Sequence, residues 1–227
     1  MFTLVAVAAV VVAAGACGGA GSDHPPAAGA ASTRLGQVGI LRPFGGPEKV
    51  QTTPDEFEPL DKIPAGFVVV RGEGFTLRAP SGFVRKDGTS TEGEPLLALT
   101  GPGTGGVTGA GGTRPLVGVL RDTKQGRTSV FEQSRVLATT KELTAKATGI
   151  RRTVVAWPGV RDAVLLEWTE DQRTTDGGTQ AVHSAQLFTD VDDGLSLTVF
   201  ATAPADAFDR SQVVTILRTF RPERRSS

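Results

Sequence analysis

Three successive segments in the last third of the chain, 163–169, 180–189 and 195–202, read as strands, and the first and last of them place apolar residues at alternate positions. Asp-Gly turns at 176–178 and 192–194 separate them. Alternation with a period of two is typical of an antiparallel strand that buries one face, and Asp-Gly pairs favour tight turns between such strands. The sequence therefore predicts a three-stranded antiparallel meander whose apolar face has to be covered by the rest of the chain.

Shorter runs upstream predict further strands. A β-branched run begins at Phe67, and alternating or apolar runs follow at 75–79, 83–85, 96–100 and 116–121. Pro, Ser and Gly residues between the runs are turn formers. We expect a hairpin at the start of the domain and a glycine-rich connection, Gly101 to Gly112, between the last two of these strands.

Two segments have helical patterns. Ser129 and Glu132 form a capping box, which predicts a helix from Ser129 to about Thr148 that stops at Gly149. A last helix with a cap at Asp209 and an end at Pro222 has apolar residues at helical spacing, namely Val213, Ile216, Leu217 and Phe220. The order of strands, helix, meander and helix predicts an α+β fold, a twisted antiparallel sheet flanked by helices.

The N-terminus carries a targeting pattern. A predominantly apolar run of fifteen residues, from Phe2 to Ala16, precedes Cys17, the only cysteine. This length fits the core of a secretory signal and is short for a membrane span. The segment resembles the lipobox of bacterial lipoproteins, in which such a cysteine is acylated and becomes the mature N-terminus. Ala14 stands where lipoboxes usually carry Leu, and residues 1–3 lack a Lys or Arg, so we hypothesise a start upstream of Met1.

An ordinary cleaved signal is the alternative interpretation, with Cys17 as a bystander. A buried helix is disfavoured because glycines at 15, 18, 19 and 21 would break it. The predicted organisation is a signal peptide over 1–16, a lipidated N-terminus and flexible tether over 17–63, one domain over 64–223 and a disordered tail over 224–227. The predicted location is the extracytoplasmic face of the cell membrane, through the lipid on Cys17.

The charge balance limits the function classes. The chain has 24 basic and 24 acidic residues, so no overall positive field favours nucleic acid as a partner. Four arginines cluster at the C-terminus: Arg218, Arg221, Arg224 and Arg225. We interpret them as cations on a last helical turn and a solvated tail. A patch that binds lipid headgroups is the alternative.

Three stretches resemble the PsbP/Mog fold, in particular the LpqN-type lipoproteins of actinobacteria. They are GFTLRAPSGFVRKDG, RRTVVAWPGVRDAVLLEW and LTVFATAPADAFDRSQVVTILRTFR, and the resemblance covers residues 67–221. It implies an α/β/α sandwich that serves as a binding or assembly subunit with a link to envelope lipid biology. The glycine-rich segment 101–112 departs from the pattern.

The patterns of catalytic and cofactor sites are weak. The G-x-G-x-x-G match at 101–106 lies between strands, where no helix N-terminus follows to hold a pyrophosphate. His24 lies in the tether, and His183 in mid-strand is read as structural rather than as a general base. Ligands for zinc are lacking. Three aspartates before Gly194 resemble a calcium loop but are better read as turn residues: Asp190, Asp192 and Asp193.

Two tryptophans and two glutamates complete the candidates. Trp157 and Trp168 are predicted on neighbouring strands, where they line a groove for an apolar ligand or pack in the core. Glu167 with Glu170 or Asp171 is read as solvated charge rather than as a glycosidase pair.

The sequence thus predicts a non-enzymatic, lipid-anchored binding or accessory protein of the cell envelope, without metal or cofactor. Its expected partner is an envelope protein or an apolar envelope molecule, and its oligomeric state is left open. The alternative is a carrier that holds an apolar or lipid ligand between sheet and helices. A hydrolase is a third, disfavoured class, because histidine and cysteine are so scarce.

Overall fold

A computed structural model describes residues 53–90, 94–103, 113–123, 128–174 and 177–223. These residues form two helices, α1 (Val130–Thr144) and α2 (Val213–Arg218). They also form ten strands, which are β1 (Phe67–Gly72), β2 (Phe75–Pro80), β3 (Val84–Thr89), β4 (Pro95–Thr100), β5 (Leu116–Asp122), β6 (Thr148–Val154), β7 (Asp162–Arg173), β8 (Thr179–Asp192), β9 (Leu195–Pro204) and β10 (Arg221–Pro222).

Seven strands form one sheet in the order β3-β4-β5-β9-β8-β7-β6. Every neighbouring pair in it is antiparallel. The predicted meander is confirmed as β7-β8-β9, in which Leu165 lies opposite Leu187 and Leu187 opposite Val199. Together with the two helices, this sheet confirms the predicted α+β class.

The predicted hairpin is confirmed as β1 and β2, but it belongs to a second sheet. The two strands pair antiparallel around a turn in which Gly74 has a φ of 83°. On its other edge β2 pairs with β10, so that Phe75 lies opposite Pro222. The order is therefore β1-β2-β10. The expectation of a single sheet is thus incomplete, because a strand from the far end of the chain, and not β3, continues the hairpin.

α1 begins where the sequence places it and ends earlier. Ser129 is its N-cap, and the Oγ atom accepts a hydrogen bond of 3.2 Å from the backbone N–H of Glu132. The helix ends at Thr144, because Lys146 takes the left-handed conformation with a φ of 50°. Gly149, the predicted stop, has a φ of 62° and lies instead at a register shift in β6.

α2 is shorter than predicted at its start. Asp209–Ser211 form a 3₁₀ turn, and Gln212, with a φ of 67°, separates this turn from the helix. The predicted apolar face is confirmed, since its four residues from Val213 to Phe220 are fully buried. The helix ends at Arg218, and Pro222 lies beyond it in β10.

Other elements pack on both faces of the seven-stranded sheet, although α1 contacts mainly β6, β7 and β8. On one face α1 packs over a cluster that includes Val164, Leu166 and Trp168. On the other face α2 and the three-stranded sheet enclose the larger cluster, which includes Leu165 and Leu187. Consecutive residues of β7 are therefore buried on opposite faces. The expectation that this strand is buried on one face only is wrong, because α1 covers the second face.

The start of the described chain differs from the predicted domain boundary. The sequence assigns residues up to 63 to a flexible tether, whereas Phe57 is buried in the larger cluster. Two arginines near the C-terminus hold this segment by its backbone: Arg218 Nε donates to the carbonyl of Glu58 at 2.6 Å, and Arg221 Nη2 donates to that of Leu60 at 2.7 Å. The part of the tether from 53 to 63 therefore packs on the domain.

Candidate binding surface

The large apolar side chains that remain exposed lie mainly on two edge strands. Val68 and Val69 of β1 are 50% and 45% exposed, and Val84 of β3 is 69% exposed. β1 ends the three-stranded sheet and β3 ends the seven-stranded sheet. Edge strands offer unpaired backbone groups to other chains, and exposed apolar residues on them favour association. These two strands are the main candidates for a binding surface.

A surface cleft of about 360 Å³ adjoins β1. Its apolar lining includes Val69 together with Leu60 and Ile63, which belong to the packed N-terminal segment. Its basic lining consists of Arg71, Arg78 and Arg221, and Asp61 and Glu223 supply the acidic lining. We refer to it below as the arginine cleft.

The three arginines of the cleft differ in how they are held. Arg221 donates to backbone carbonyls, and burial, partly offset by the charge of Asp61, lowers its pKa. Arg71 has a side chain that is 77% exposed and a distant ion pair, with Nη1 3.9 Å from Glu223 Oε1. Arg78 is exposed, and its hydrogen bonds within the described chain involve only its backbone. Arg71 and Arg78 are therefore available to an added anion.

The α1 side of β4, β5 and β9 carries half-buried apolar residues, among them Leu96, Leu120 and Phe200. They alternate along the strands with core residues such as Leu97 and Val119. The solvent face of an antiparallel sheet usually carries polar residues in these positions. This apolar strip continues toward Val84 at the sheet edge, since Val84 lies opposite Thr100 at the end of β4.

The predicted tryptophan groove does not form. Trp157 lies after the end of β6, is buried in the larger cluster and donates from Nε1 to the carbonyl of Phe220 at 3.3 Å. Trp168 is buried in the cluster beneath α1, with Lys141 Nζ 5.1 Å from the centroid of its ring. The seven-stranded sheet separates the two side chains, so both act as core residues.

The carrier alternative expects an apolar cavity between sheet and helices. Val213, Ile216 and Leu217 of α2 are fully buried against the larger cluster. A second surface cleft, of about 190 Å³, is lined by residues such as Phe83 and Gln212. Like the arginine cleft, it lies at the surface. No observation on the described residues therefore favours a carrier.

His183 lies on β8, and its surroundings agree with a structural role. Its Nδ1 atom is 2.8 Å from Thr169 Oγ1, and its ring meets that of Phe208 edge-on with centroids 4.3 Å apart. Burial lowers the pKa of His183, and the positive charge of Arg151 acts in the same direction, while Asp209 opposes them.

The two glutamates of β7 are buried on opposite faces and are not solvated as predicted. Burial raises the pKa of Glu167, although Arg151 opposes this with a hydrogen bond of 2.7 Å between Nε and Oε2. Burial also raises the pKa of Glu170, but hydrogen bonds from Lys141 and Gln172 outweigh it, and the net pKa is lowered. Because the sheet lies between the two carboxyl groups, they do not form a glycosidase pair.

The aspartates near Gly194 form ion pairs and a turn. Arg161 binds both Asp190, at 3.0 Å, and Asp193. Asp192 Oδ1 accepts from the N–H of Gly194 at 2.8 Å, which confirms its role as a turn residue. Among the described residues, no group of three His, Cys, Asp or Glu is arranged to hold a metal ion.

Several predicted features lie outside the described residues. These are Cys17 with the apolar segment before it, His24, most of the glycine-rich segment and the arginines at 224 and 225. Gly101 to Gly103 are described and follow β4, and no helix begins there. No helix in the described part of the chain is long and apolar enough to cross a membrane.

Sequence reasoning missed the free edge of β1 and the arginine cleft. The run from Phe67 to Val70 predicts a strand, but a β-branched run looks alike in a central and in an edge strand. The cleft joins residues as far apart as Leu60 and Glu223. The only available signal was the C-terminal arginine cluster, whose members Arg218 and Arg221 bind the backbone of the N-terminal segment.

No family model matches the chain, and no curated protein matches it significantly. Several solved structures are similar to it, among them the following two. PA94 of Pseudomonas aeruginosa, a protein of unknown function, has 14% identity and a TM-score of 0.44, over 70% of this chain and 99% of that chain. LpqN of Mycobacterium tuberculosis, involved in cell envelope biogenesis, has 12% identity and a TM-score of 0.33, over 71% of this chain and 82% of that chain. Similarity at this level carries no functional argument.

Proposed function

We propose that the protein is a lipid-anchored, extracytoplasmic accessory protein of the cell envelope that acts by binding a partner protein and not by catalysis. The anchor is the lipid on Cys17, which follows the signal-like segment from Phe2 to Ala16. One acyl chain gives only marginal membrane binding, at about 0.8 kcal/mol per buried methylene, whereas the two or more chains of a lipoprotein give durable attachment.

One observation carries the binding function: the exposed apolar residues are concentrated on edge strands. Three of the four large hydrophobic side chains exposed in the described residues lie on β1 and β3, and the fourth is Leu143 on α1. A protein that acts alone gains nothing from apolar side chains at unpaired edges, because such edges promote association. Edges of this kind support a role in binding other chains.

The use of the charged residues supports binding over catalysis. Catalytic acids and bases need access to a substrate. The buried titratable groups here are bound within the fold, since Glu170 holds Lys141, Glu167 holds Arg151 and His183 contacts Thr169. None of the three groups Glu167, Glu170 and His183 lines either of the two surface clefts.

Site-specific photocrosslinking in the native host tests this function. A photoreactive phenylalanine analogue replaces Val84, and in a matched control it replaces Leu143, which has the same exposed fraction of 69%. We expect a discrete light-dependent adduct with one membrane-fraction protein from position 84 and none from position 143. Adducts from neither position, or the same adducts from both, would contradict a binding surface at the sheet edges. An adduct with lipid alone would favour the carrier.

A further inference from the structure

We propose that β1 accepts an extended segment of the partner protein as an added strand, and that Arg71 and Arg78 bind a carboxylate of that segment. The proposal rests on the proposed function, for which it gives a docking mode and the chemistry of the partner. In such strand addition the main-chain hydrogen bonds supply affinity, and the side chains on alternate positions supply specificity.

The backbone of β2 establishes which groups of β1 point outward. The N–H of Arg78 donates to Thr219 Oγ1 at 2.7 Å, and the same hydroxyl donates to the carbonyl of Arg78 at 3.0 Å. Both backbone groups of Arg78 therefore point away from β1. Val69 lies directly opposite Arg78 in the antiparallel register. The two members of such a pair turn their backbone groups to opposite sides of the ribbon, so the N–H and C=O of Val69 point outward along the free edge.

Outward backbone groups at both ends of this edge are hydrogen-bonded, and those in its middle have no partner among the described residues. At one end the outward N–H of Phe67 donates to the carbonyl of Pro64 at 3.4 Å. At the other end the carbonyl of Arg71 accepts from Arg85 Nη1 at 2.9 Å. In the described part of the chain, no group is bonded to the outward N–H and C=O of Val69. The open stretch is therefore centred on one residue whose donor and acceptor are both available.

The side chains beside the open edge are apolar on both faces. Val68 and Val69 point to opposite faces of the sheet, as neighbours in a strand do, and each is about half exposed. An added strand would cover Val69 with a side chain on the outer face and Val68 with the next side chain on the inner face. The edge therefore fits a segment that carries apolar residues at neighbouring positions.

The charge on the outer face selects the chemistry of the segment. Arg71 and Arg78 lie on the same face as Val69 and line the arginine cleft with it. A guanidinium binds a carboxylate with two parallel hydrogen bonds, and a pair of arginines makes such a site specific for an anion. Asp61 and Glu223 also line the cleft. This mixed lining fits one carboxylate side chain, Asp or Glu, better than a polyanion.

A second copy of this chain is a poorer occupant. Antiparallel pairing of β1 with β1 of another copy, centred on the open groups of Val69, would place Arg71 opposite Phe67, and β1 carries no carboxylate for Arg71 or Arg78. The chemistry of the edge therefore favours a partner segment that is acidic where this chain is basic.

Selection from a display library tests the proposal while the partner is still unidentified. Random nine-residue peptides are selected on the full chain, and the recovered peptides are then measured on Val69→Pro by fluorescence anisotropy. Proline removes the outward N–H, which β2 does not use, and an edge strand tolerates it there. Val69→Thr, which keeps the N–H and a β-branched side chain, is the matched control.

We expect recovered peptides with adjacent apolar residues and an excess of Asp and Glu. Binding should weaken at least about tenfold on Val69→Pro and on Arg71→Gln with Arg78→Gln, and less than about twofold on Val69→Thr, because the lost groups make direct bonds. Resynthesis with N-methyl groups on alternate amides gives a measurement on the unaltered protein. One set of alternate amides should abolish binding and the other should preserve it.

Several outcomes would overturn the proposal. These are a library that yields no enriched peptides, peptides that bind Val69→Pro as well as the unaltered chain, and peptides enriched in Lys and Arg. Arginine-dependent binding to phosphatidylglycerol vesicles without peptide binding would assign the cleft to a membrane surface. A dimer in sedimentation that Val69→Pro abolishes would assign the edge to a second copy. A specific protein adduct from position 84 would leave the proposed function standing in each of these cases.

Discussion

At two glycines of the fold, a phenylalanine ring from the neighbouring strand fills the space where a side chain would lie. A Cβ on Gly118 would lie 2.1 Å from Cζ of Phe200, and a Cβ on Gly72 would lie 2.1 Å from Cζ of Phe75. Each pair is directly opposite across two antiparallel strands. Glycine in a strand often marks such a close approach. The aromatic ring covers the backbone that the missing side chain leaves bare.

The pair of Gly118 and Phe200 leads to a stability prediction. We expect Gly118→Ala to lower the free energy of unfolding by about 1–3 kcal/mol, because the ring has to leave its position. Gly88→Ala is the control, since nothing lies within 4 Å of its added Cβ, and it should change stability by less than about 0.5 kcal/mol. Urea titration measures both variants. Equal effects of the two would contradict the role assigned to Phe200.

His183 leads to a prediction about pH. Burial lowers the pKa of His183 in the folded protein, so the unfolded chain binds more protons as the pH falls below about 6.5. Stability should therefore be lost as the pH decreases through this range toward the folded pKa. As the pH decreases from about 7.5 to about 5.5, the Tm of His183→Gln should fall less than the Tm of the unaltered protein.

Glu167 titrates in the opposite sense, and the comparison removes its effect. Its raised pKa favours the folded state at low pH, and this contribution is lost as the pH rises through the folded pKa. The contribution is common to both proteins and cancels in the difference between them. Calorimetry at each pH measures the Tm of both proteins. Equal losses of Tm in the two proteins would refute the role of His183.

At the scale of elements, a partly buried ion pair fastens α1 to the sheet. Lys141 Nζ lies 2.8 Å from both carboxylate oxygens of Glu170, and their side chains are 20% and 6% exposed. Loss of one partner from a buried pair leaves an uncompensated charge. We expect Lys141→Met to cost about 2 kcal/mol, which lies between the values for exposed and fully buried pairs.

The controls for this prediction come from the same helix and the same pair. Arg135→Met removes a basic residue of α1 whose partner, Glu132, is as exposed as Arg135 itself, and it should cost less than about 0.5 kcal/mol. Glu170→Gln added to Lys141→Met should restore part of the lost stability, because no buried charge remains. Denaturant titration of the unaltered protein, Lys141→Met, Glu170→Gln and the double variant completes a double-mutant cycle. If the changes in the free energy of unfolding were strictly additive, Lys141 and Glu170 would not be energetically coupled.

The packing of the segment 53–63 depends on two arginines. Arg218 and Arg221 donate to its carbonyls, and the N–H of Leu60 donates back to the carbonyl of Arg218 at 3.0 Å. We expect Arg218→Met with Arg221→Met to increase cleavage after Lys62 by a lysine-specific protease about tenfold, as the loss of two hydrogen bonds makes local opening easier. Arg210→Met, which breaks only an exposed pair with Asp206, is the control. Unchanged cleavage in the double variant would contradict this role.

Element boundaries could be predicted where a local signal is strong. Ser129 begins α1 as the capping box indicates, because the cap depends only on residues within one turn. The end of α1 could not be predicted, since Lys146 and not Gly149 takes the left-handed conformation that ends it. A left-handed lysine is uncommon, and the sequence contains no signal for it.

At the scale of the whole molecule, we predict that a lipid on Cys17 anchors the chain to the membrane. Cys17→Ser should move the protein from the membrane fraction to the soluble fraction, because it removes the proposed acylation site and with it the membrane affinity of the acyl chains. Mass spectrometry of the N-terminal peptide should detect a diacylglyceryl thioether in the unaltered protein and no such group in the variant. Retention of Cys17→Ser in the membrane fraction would show that another element anchors the chain.

The sequence by itself determined the types of the elements and the antiparallel meander. Alternation with a period of two, glycine turns and a capping box act over a few residues, so each can be recognised in a short stretch of sequence. It also determined the apolar face of the last helical segment, whose four apolar residues Val213, Ile216, Leu217 and Phe220 are fully buried. The predicted groove between the two tryptophans does not form, since Trp157 and Trp168 lie on opposite sides of the sheet.

Only the tertiary structure decided which strands end a sheet and which residues meet at the surface. β1 became an edge because β10 joins the small sheet on the far side of β2, and that pairing brought Thr219 and Arg221 beside β2. These relations join residues far apart in the chain, as in the contact of Arg78 with Thr219, for which the sequence separation is 141. Pairing at such distances depends on the packing of the whole chain, and no local pattern of residues encodes it.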